Sequence, residues 1–408
     1  MDFVTPSFDT LLSPTPDKLY FPACLAAVAI IAWFIARHTP FYRFAVDQSL
    51  SMRYRNLDGF RGILATSVVF HHFACNQGLL TTGSWGTSPG FLRNLGTIPV
   101  AMFFMVTGFL FWERACKGTL DVRTFFVGRV RRVAPLYLAC AIVIVVCTLV
   151  WFPRHVVDAP TQLLADVLKT VSLGWFGAFP INGAQHTSYL SGVWWTLGYE
   201  WRFYAVVPFL AWFVATHAWR KLFALAIVTI CATLFGQPGS LALLFALGAV
   251  AFELSRHPAI RARLDTKSAA TVALLILAVA PSPGERYSIE GVLPLLPVFV
   301  CVACGNTFYG VLKTRPLALL GTVSFSIYMI HMVIVYMLIH AFDRFVFQIG
   351  SADDLQRWML SLGCALVAVL CALLTYRYIE HPFIAKRSSA RPAHRSVPPE
   401  RERRTVTP

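Results

Sequence analysis

Charged residues are scarce in this chain of 408 residues, and acidic residues are the scarcest of them. Asp, Glu, Lys and Arg together make up 13% of the sequence, whereas hydrophobic residues make up 57%. A soluble globular domain carries about 25% charged residues, so this composition excludes that class. With a mean hydropathy of +0.61, the sequence predicts a polytopic membrane protein.

Several common signatures are also missing. The sequence has no internal repeat, no Walker loop and no dinucleotide-binding fingerprint, which leaves an energised pump or a flavin enzyme without support. Its histidines lack a metal-ligand spacing such as HExxH, and its ten cysteines fall mostly inside apolar runs, so we expect no metal site. The first residues, MDFVTPSFDTLLSPTPDK, lack a basic region, and we therefore expect no cleaved signal peptide.

Long apolar segments account for most of the chain. A helix needs about 20 apolar residues to cross a bilayer, and backbone groups inside lipid must be satisfied internally. We therefore predict an all-α polytopic transmembrane helix bundle of 10–11 spans around a central polar cavity. The segments cover residues 20–37, 59–80, 95–112, 134–152, 193–214, 221–236, 238–254, 269–282, 290–308, 321–342 and 357–378.

Basic residues indicate the orientation of this bundle. Most of the 35 lysines and arginines lie in loops on the side of the 113–133 loop, which makes that side cytoplasmic, with the N-terminus outside and the C-terminus inside. These loops and the tail explain the net charge of +15, and no nucleic acid partner is needed. We divide the chain into an N-terminal segment with one extra span (1–54), a transmembrane domain (55–384) and a basic disordered cytoplasmic tail (385–408).

Arg61 and His72 stand out in the run LDGFRGILATSVVFHHF. At about 100° per residue, eleven steps return to nearly the same helix face, with His72 about 16 Å further along the axis. Ionisable groups at membrane depth are costly and usually face a cavity where they bind or react. A neutral histidine there can serve as a general base. The neighbouring His71 orients His72, contacts substrate or hydrogen-bonds another helix.

A second polar group lies in the run SGVWWTLGYEWRFYAVVPFL. Glu200 is expected about 10 Å below the outer end of its helix, with Tyr204 one turn further on the same face. The carboxylate can hydrogen-bond a histidine or an acceptor hydroxyl. Arg202 should point elsewhere, as a snorkelling cation.

Further along the chain, Ser324, Tyr328 and His331 follow helical spacing and form one polar stripe. This stripe lines the same cavity or makes interhelical hydrogen bonds, and the spacing favours neither. In the longest outer segment, TQLLADVLKTVSLGWF predicts an interfacial amphipathic helix over the site.

Three arginines, Arg129, Arg131 and Arg132, precede the apolar segment 134–152. Guanidinium groups pair well with phosphates, and a helix start beside them adds a favourable dipole. A phosphate-bearing ligand is therefore one interpretation. Ordinary positive-inside anchoring explains the same arginines equally well.

Five stretches, in order from residue 55 to 384, resemble motifs of the membrane acyltransferase-3 family. RNLDGFRGILATSVVFHH is similar to the family's LDGLRG opening with its Arg-x10-His signature, and GTIPVAMFFMVTGFLFW to its FF-x-x-SGFL run. FVGRVRRVAPLY is similar to R-x-x-R-I-x-P, WWTLGYEWRFY to W-S-L-x-x-E-x-x-FY, and SFSIYMIH with YRYIEHPF to the S-Y-x-x-Y-L-x-H and I-E-x-P endings. Thr107 and Thr196 replace serines, and the first span is additional to the usual ten-helix plan.

The resemblance implies an O-acyltransferase of the bacterial cytoplasmic (inner) membrane. It would move an acyl group, usually acetyl, from cytoplasmic acyl-CoA to a hydroxyl of a cell-envelope or exported glycan, by direct transfer or through an acyl-histidine. The residues carried over are catalytic His72, Glu200 and Arg61, donor-binding Arg129 and Arg132, and substrate-binding His71, Asp58, Tyr204 and His331. Expected partners are acyl-CoA, a glycan or lipid-linked glycan, membrane lipid and envelope-biosynthesis proteins, with no tightly bound cofactor.

Other classes explain parts of the sequence. A secondary transporter also carries midplane charges and interrupted segments, but no repeat pair accompanies the five ordered motifs here. An inactive scaffold is disfavoured because His72, Arg61 and Glu200 are all present. Acylation of a small molecule or a lipid instead of a glycan stays open.

Overall fold

The structure is a computed structural model that describes residues 16–88, 90–118, 120–151, 159–214, 239–284 and 287–384. These residues form helices and no β-strand, which confirms the predicted all-α class. The predicted segment 221–236 and the tail 385–408 lie outside the described residues. In chain order the helices are α1 Pro16–His38, α2 Pro40–Ser51, α3 Arg55–Thr82, α4 Phe91–Cys116, α5 Val122–Trp151, α6 Pro160–Thr170, α7 His186–Leu190, α8 Trp195–Val214, α9 Gly239–Ser255, α10 Pro258–Leu264, α11 Lys267–Val279, α12 Ile289–Val292, α13 Leu295–Ala303, α14 Arg315–Thr322, α15 Ser324–Phe345 and α16 Asp354–Thr375, which continues as a π-helical turn, Tyr376–Glu380.

The helices of the described residues are those of a multi-pass membrane protein. Within it, α1, α4, α5, α15 and α16 are each long and apolar enough to cross a bilayer. A sixth span is formed if α9 and α10, which meet at a bend of 103°, count as one broken span. The predicted segment 290–308 is divided into α12 and α13, because Pro294 between them lacks a backbone donor.

The helix α3 lies at the centre and packs against α4, α14, α15 and α16. Its crossing with α14 depends on glycine. A Cβ atom on Gly321 would lie 1.8 Å from the Asp58 carbonyl oxygen, and one on Gly62 would lie 2.7 Å from the Leu317 carbonyl oxygen. The two backbones are therefore in direct contact, which holds the Asp58–Arg61 end of α3 in place.

A second close crossing joins α4 to α9. A Cβ on Gly108 would lie 2.2 Å from the carbonyl oxygen of Phe245, and one on Gly248 would lie 2.1 Å from that of Met105. No larger side chain fits at either glycine without separating the helices. This contact gives the glycine of the MVTGFLFW run a packing role.

The helix α5 begins at Val122, twelve residues before the predicted apolar segment. The Asp121 carboxylate accepts a hydrogen bond of 3.0 Å from the backbone N–H of Thr124 and so caps the helix start. Hydrogen bonds from the side chain and backbone of Thr124 also lower the pKa of Asp121. The prediction of a helix start beside Arg129 and Arg132 is therefore wrong: charged residues made the first turns of α5 resemble a loop.

The predicted amphipathic helix is present as α6. Its polar residues Asp166 and Thr170 are buried, whereas the side chains of Leu164 and Leu168 are 60% and 59% exposed. An apolar outer face of this kind is suited to lipid rather than water. Its position over the functional site stays a prediction.

Candidate active site

The helices α3 and α15 bring His72 and His331 into contact. The His331 Nε2 atom lies 3.0 Å from the Nδ1 atom of His72. Each Nδ1 atom also faces the backbone carbonyl four residues earlier, Val68 at 3.1 Å for His72 and Ile327 at 3.0 Å for His331. The polar stripe predicted on α15 therefore meets the Arg61–His72 stripe of α3.

This hydrogen-bond pattern determines the tautomers. Because a carbonyl oxygen accepts and cannot donate, Nδ1 of His331 carries a hydrogen, and Nε2 of neutral His331 is then an acceptor. The Nδ1 atom of His72 must donate to that acceptor. In neutral His72 the Nε2 atom is consequently unprotonated, and no described residue hydrogen-bonds to it. His72 is half-buried while His331 is fully buried, so Nε2 of His72 is the atom available to a ligand.

His71 faces a different neighbour. Its Nδ1 atom lies 2.9 Å from the Leu92 carbonyl oxygen on α4, and its Nε2 atom lies 3.5 Å from the Sγ atom of Cys75. The ring centroids of His71 and His72 are 4.9 Å apart. His71 thus makes the interhelical hydrogen bond that was one of its interpretations, and substrate contact stays a prediction.

The site contains three arginines, Arg61, Arg129 and Arg132. Arg61 and Arg132 are paired with carboxylates. On α3, Arg61 lies 3.3 Å from Asp58, which also accepts a 2.6 Å hydrogen bond from Ser49 Oγ on α2. On α5, Arg132 forms an ion pair with Glu380 in the π-helical turn. Glu380 is fully buried, so its carboxylate needs this partner.

Arg129 lies against aromatic rings and not against a carboxylate. Its guanidinium lies 5.1 Å from the ring centroid of Phe111 and 5.9 Å from that of Tyr204. Its Nε atom is buried and has no hydrogen-bond partner within the described residues. An unused buried donor is uncommon in folded proteins and indicates a place for a ligand or water. Among Arg61, Arg129 and Arg132, which we call the arginine cluster, Arg129 forms no salt bridge in the described part of the chain.

Glu200 belongs with the arginine cluster. Its Oε2 atom accepts a 2.6 Å hydrogen bond from Tyr204, one turn along α8. All three guanidinium groups of the cluster act electrostatically on its carboxylate. Of the two partners considered for Glu200, a histidine is not hydrogen-bonded to it in the described structure, because helical spacing predicted the face of α8 and not its neighbour. A hydrogen bond to an acceptor hydroxyl stays a prediction. Arg202 points away, as predicted, and is exposed beside Trp175 and Tyr199.

Tyr328 joins α15 to α8. Its hydroxyl lies 3.0 Å from Thr196 Oγ1, and Glu200 acts on it electrostatically. Since His331 lies one turn further along α15, Tyr328 stands between the histidines and the arginine cluster. Arg61, a member of the arginine cluster, lies on the same face of α3 as His72.

Several residues around the site were not among the sequence predictions. Glu380 had a visible signal, since it is an acidic residue in the apolar ending YRYIEHPF. Trp85 and Tyr189 had none: their rings stack with centroids 4.7 Å apart, and Trp85 lies 6.4 Å from the ring of His72. Asn76 donates to the His72 carbonyl oxygen at 2.8 Å, while its buried Oδ1 has no partner among the described residues.

A cavity of about 230 Å³ lies on the opposite face of α3 and does not include His72. Its lining includes Phe70, Phe73, Asp17 and Trp358. Asp17 already accepts a 3.0 Å hydrogen bond from the indole of Trp358. We place the candidate active site at His72 because Nε2 of His72 and Oδ1 of the adjacent Asn76 are acceptors without a partner among the described residues.

The chain belongs to the acyltransferase-3 family. The family model described as an acyltransferase domain matches residues 54–377, most of the chain. The resemblance seen in the five ordered motifs is thereby confirmed.

Two relatives carry names that relate to acyl transfer. The "Putative membrane-bound transacylase BcsY" of Komagataeibacter xylinus is 25% identical over 314 residues, which cover 68% of this chain and 72% of the relative. A "Putative O-acetyltransferase" of Staphylococcus aureus strain MSSA476 is 25% identical over 159 residues, 38% of this chain and 24% of the relative. The chain thus spans about a quarter of the length of that relative. No solved structure matches the chain significantly.

Proposed function

We propose that this protein is an integral-membrane O-acyltransferase that moves an acyl group from cytoplasmic acyl-CoA to a hydroxyl of a cell-envelope or exported glycan. The observation that carries the proposal is the hydrogen bond between His331 Nε2 and His72 Nδ1, which assigns the acceptor role to Nε2 of half-buried His72. Family membership supplies the reaction class, acyl transfer. The acyl group proposed is acetyl.

The donor is proposed to enter at the arginine cluster. Coenzyme A carries phosphates, and Arg129 offers an unused buried donor and no competing carboxylate in contact. Arg132 was expected to bind the donor too, but its ion pair with Glu380 supports a shared role, partly structural. From Arg61 to His72 the rise along α3 is about 16 Å, a distance that an extended pantetheine arm can bridge.

The proposed reaction is a direct transfer. The Nε2 atom of His72 takes the proton from the acceptor hydroxyl as its oxygen attacks the thioester carbonyl carbon. The tetrahedral intermediate then expels the thiolate of coenzyme A: the carbon–sulfur bond breaks, and the thiolate takes the proton from His72. The products are an ester and free coenzyme A, and His72 returns to its neutral form.

His331 has a positioning role in this account. By accepting the Nδ1 hydrogen of His72, it holds the imidazole in the tautomer that leaves Nε2 free. The same hydrogen bond strengthens when His72 becomes cationic. We propose this role for His331 in place of the substrate contact implied by the family resemblance, and its full burial behind His72 supports the choice.

Arg61 and Glu200 have supporting roles in the proposal. Arg61 is partly exposed next to Asp58 and, about 16 Å along α3 from His72, is proposed to contact the donor at the arginine end of its path. Glu200, surrounded by guanidinium groups, is proposed to orient Arg129 and Arg61 rather than His72. Asp58 and Tyr204 position these groups through their hydrogen bonds.

The membrane placement completes the proposal. By the positive-inside rule, the arginine cluster faces the cytoplasm of a bacterial cytoplasmic membrane, where acyl-CoA is made, and the far end of α3 faces outward. The acceptor then reaches His72 from the outer side. A glycan or a lipid-linked glycan precursor fits this route, with envelope-biosynthesis proteins as the suppliers.

The test is acyl transfer across a sealed membrane. The purified protein is reconstituted in proteoliposomes with [14C]acetyl-CoA on one side and envelope polysaccharide on the other. We expect label in the polysaccharide, released by mild alkali as acetate. A transporter would instead move a solute without forming an ester. Absence of alkali-labile label from glycan, lipid and small-molecule fractions alike would overturn the proposal.

A further inference from the structure

Trp85 and Tyr189 form a stacked aromatic pair beside the proposed base. Their ring centroids are 4.7 Å apart with planes inclined by 8°. Trp85 lies in the segment that joins α3 to α4, after Gly83 ends α3 in a left-handed conformation with φ of 71°. Tyr189 belongs to α7, more than 100 residues away in sequence. The stack therefore fixes two separate segments at the end of α3 that is remote from the arginine cluster.

The pair adjoins His72 and keeps accessible surface. Trp85 is 6.4 Å from the His72 ring, centroid to centroid, with planes inclined by 29°. Both Trp85 and Tyr189 are half-buried, so part of each residue is accessible although the two rings cover one face of each other. No Lys or Arg side chain lies over either ring in the described part of the chain. The two rings thus offer apolar surface, in contrast to the guanidinium groups at the arginine end.

Polar groups lie next to Tyr189 and next to His72, and the ring of His186 is 6.4 Å from that of Tyr189. The hydroxyl of Tyr336 lies 3.0 Å from Nδ1 of His186, at the start of α7. His340 stacks on Tyr336 with ring centroids 3.9 Å apart. On the His72 side, the buried Oδ1 atom of Asn76 has no hydrogen-bond partner within the described residues. Flat aromatic surfaces edged by hydrogen-bonding groups match a ligand with apolar faces and polar edges.

A sugar ring has that construction, since its C–H groups occupy its faces and its hydroxyls its rim. An acyl chain lacks the polar rim, and a phosphate group lacks the apolar face. We propose that Trp85 and Tyr189 form an acceptor platform that binds a sugar ring of the glycan and presents one of its hydroxyls to Nε2 of His72. This inference rests on the proposed function, and it assigns the acceptor end of the site to residues outside the family motifs.

The test measures binding separately from acyl transfer. Full-length protein in nanodiscs is titrated with fluorescently end-labelled envelope polysaccharide from the source organism, and fluorescence anisotropy gives Kd without any donor. Trp85→Ala and Tyr189→Ala are expected to raise Kd about tenfold, the loss typical of one stacked aromatic contact. Trp85→Phe is expected to retain most of the affinity because a flat ring remains.

Controls separate the platform from general damage. Trp175→Ala alters another half-exposed tryptophan, beside Arg202, and should leave Kd unchanged. Gel filtration and thermal unfolding report whether each variant is folded. Unchanged Kd in both folded alanine variants, or no polysaccharide binding by the wild type, overturns the platform. If the wild type binds through Trp85 but transfers no acetyl group, the proposed function fails and the binding site stands.

Discussion

Substitution of His331 by phenylalanine tests the positioning role of this buried histidine. The change keeps an aromatic ring of similar size in the core but removes the acceptor 3.0 Å from Nδ1 of His72. That hydrogen bond becomes charge-assisted when His72 holds the proton, and such a bond contributes about 1.5–3 kcal/mol. We therefore expect His331→Phe to lower kcat about 10- to 150-fold.

The assay is steady-state transfer of labelled acetyl groups by the protein in nanodiscs, with acetyl-CoA varied at saturating polysaccharide. Because His331 touches neither substrate in this account, KM for acetyl-CoA should stay within about twofold of wild type. His331→Gln, whose side-chain oxygen can accept from His72, should lose less activity than His331→Phe. His38→Phe, at the exposed end of α1, is the matched control and should leave kcat unchanged.

Three outcomes would refute the reasoning about His331. A folded His331→Phe protein with wild-type kcat would show that the hydrogen bond to His72 has no part in catalysis. A change in KM alone would indicate substrate contact instead. Equal losses in His331→Gln and His331→Phe would indicate that an acceptor at this position is not what matters.

The remaining predictions concern the donor end and the helix crossings. Arg129→Ala should raise KM for acetyl-CoA about tenfold or more, because one charge-assisted contact is lost. Arg129→Lys should recover part of the affinity. An unchanged KM in folded Arg129→Ala would contradict donor binding by Arg129. Glu380→Gln should lower the melting temperature by several degrees, since it leaves Arg132 without its buried ionic partner. The control Asp354→Asn, in the exposed pair with Arg357, should have little effect. Differential scanning fluorimetry compares the melting temperatures of the two variants. Gly108→Leu should abolish folded protein because a Cβ there would lie 2.2 Å from the Phe245 carbonyl oxygen. Gly363→Leu should be tolerated, since a Cβ at Gly363 has no neighbour within 4 Å. Similar yields of monodisperse protein from the two variants would contradict the close crossing.

Local helical spacing predicted a large part of the site. Arg61 and His72 share one face of α3, as eleven residues require, and Tyr204 bonds Glu200 one turn away on α8. The stripe on α15 likewise meets its neighbours through Tyr328 and His331. In each case the informative feature was a polar side chain within an apolar helix, where its burial costs free energy.

Contacts between distant segments were not predictable in the same way. The pairing of Arg132 with Glu380 joins residues 248 apart in sequence, and spacing along one helix contains no information about the partner helix. The stack of Trp85 on Tyr189 has the same origin. The start of α5 at Val122 was missed for a local reason: four arginines before residue 134, namely Arg123, Arg129, Arg131 and Arg132, interrupt the apolar pattern.

His72 is the proposed general base of acyl transfer, and single-turnover transfer tests this role most directly. Wild-type protein, His72→Ala and the control His38→Ala are mixed with [14C]acetyl-CoA and envelope polysaccharide in nanodiscs, and the rate of ester formation is followed. Loss of a general base should slow ester formation about 10²- to 10⁴-fold in folded His72→Ala and leave His38→Ala at the wild-type rate. Ester formation at the wild-type rate in His72→Ala would contradict the mechanism.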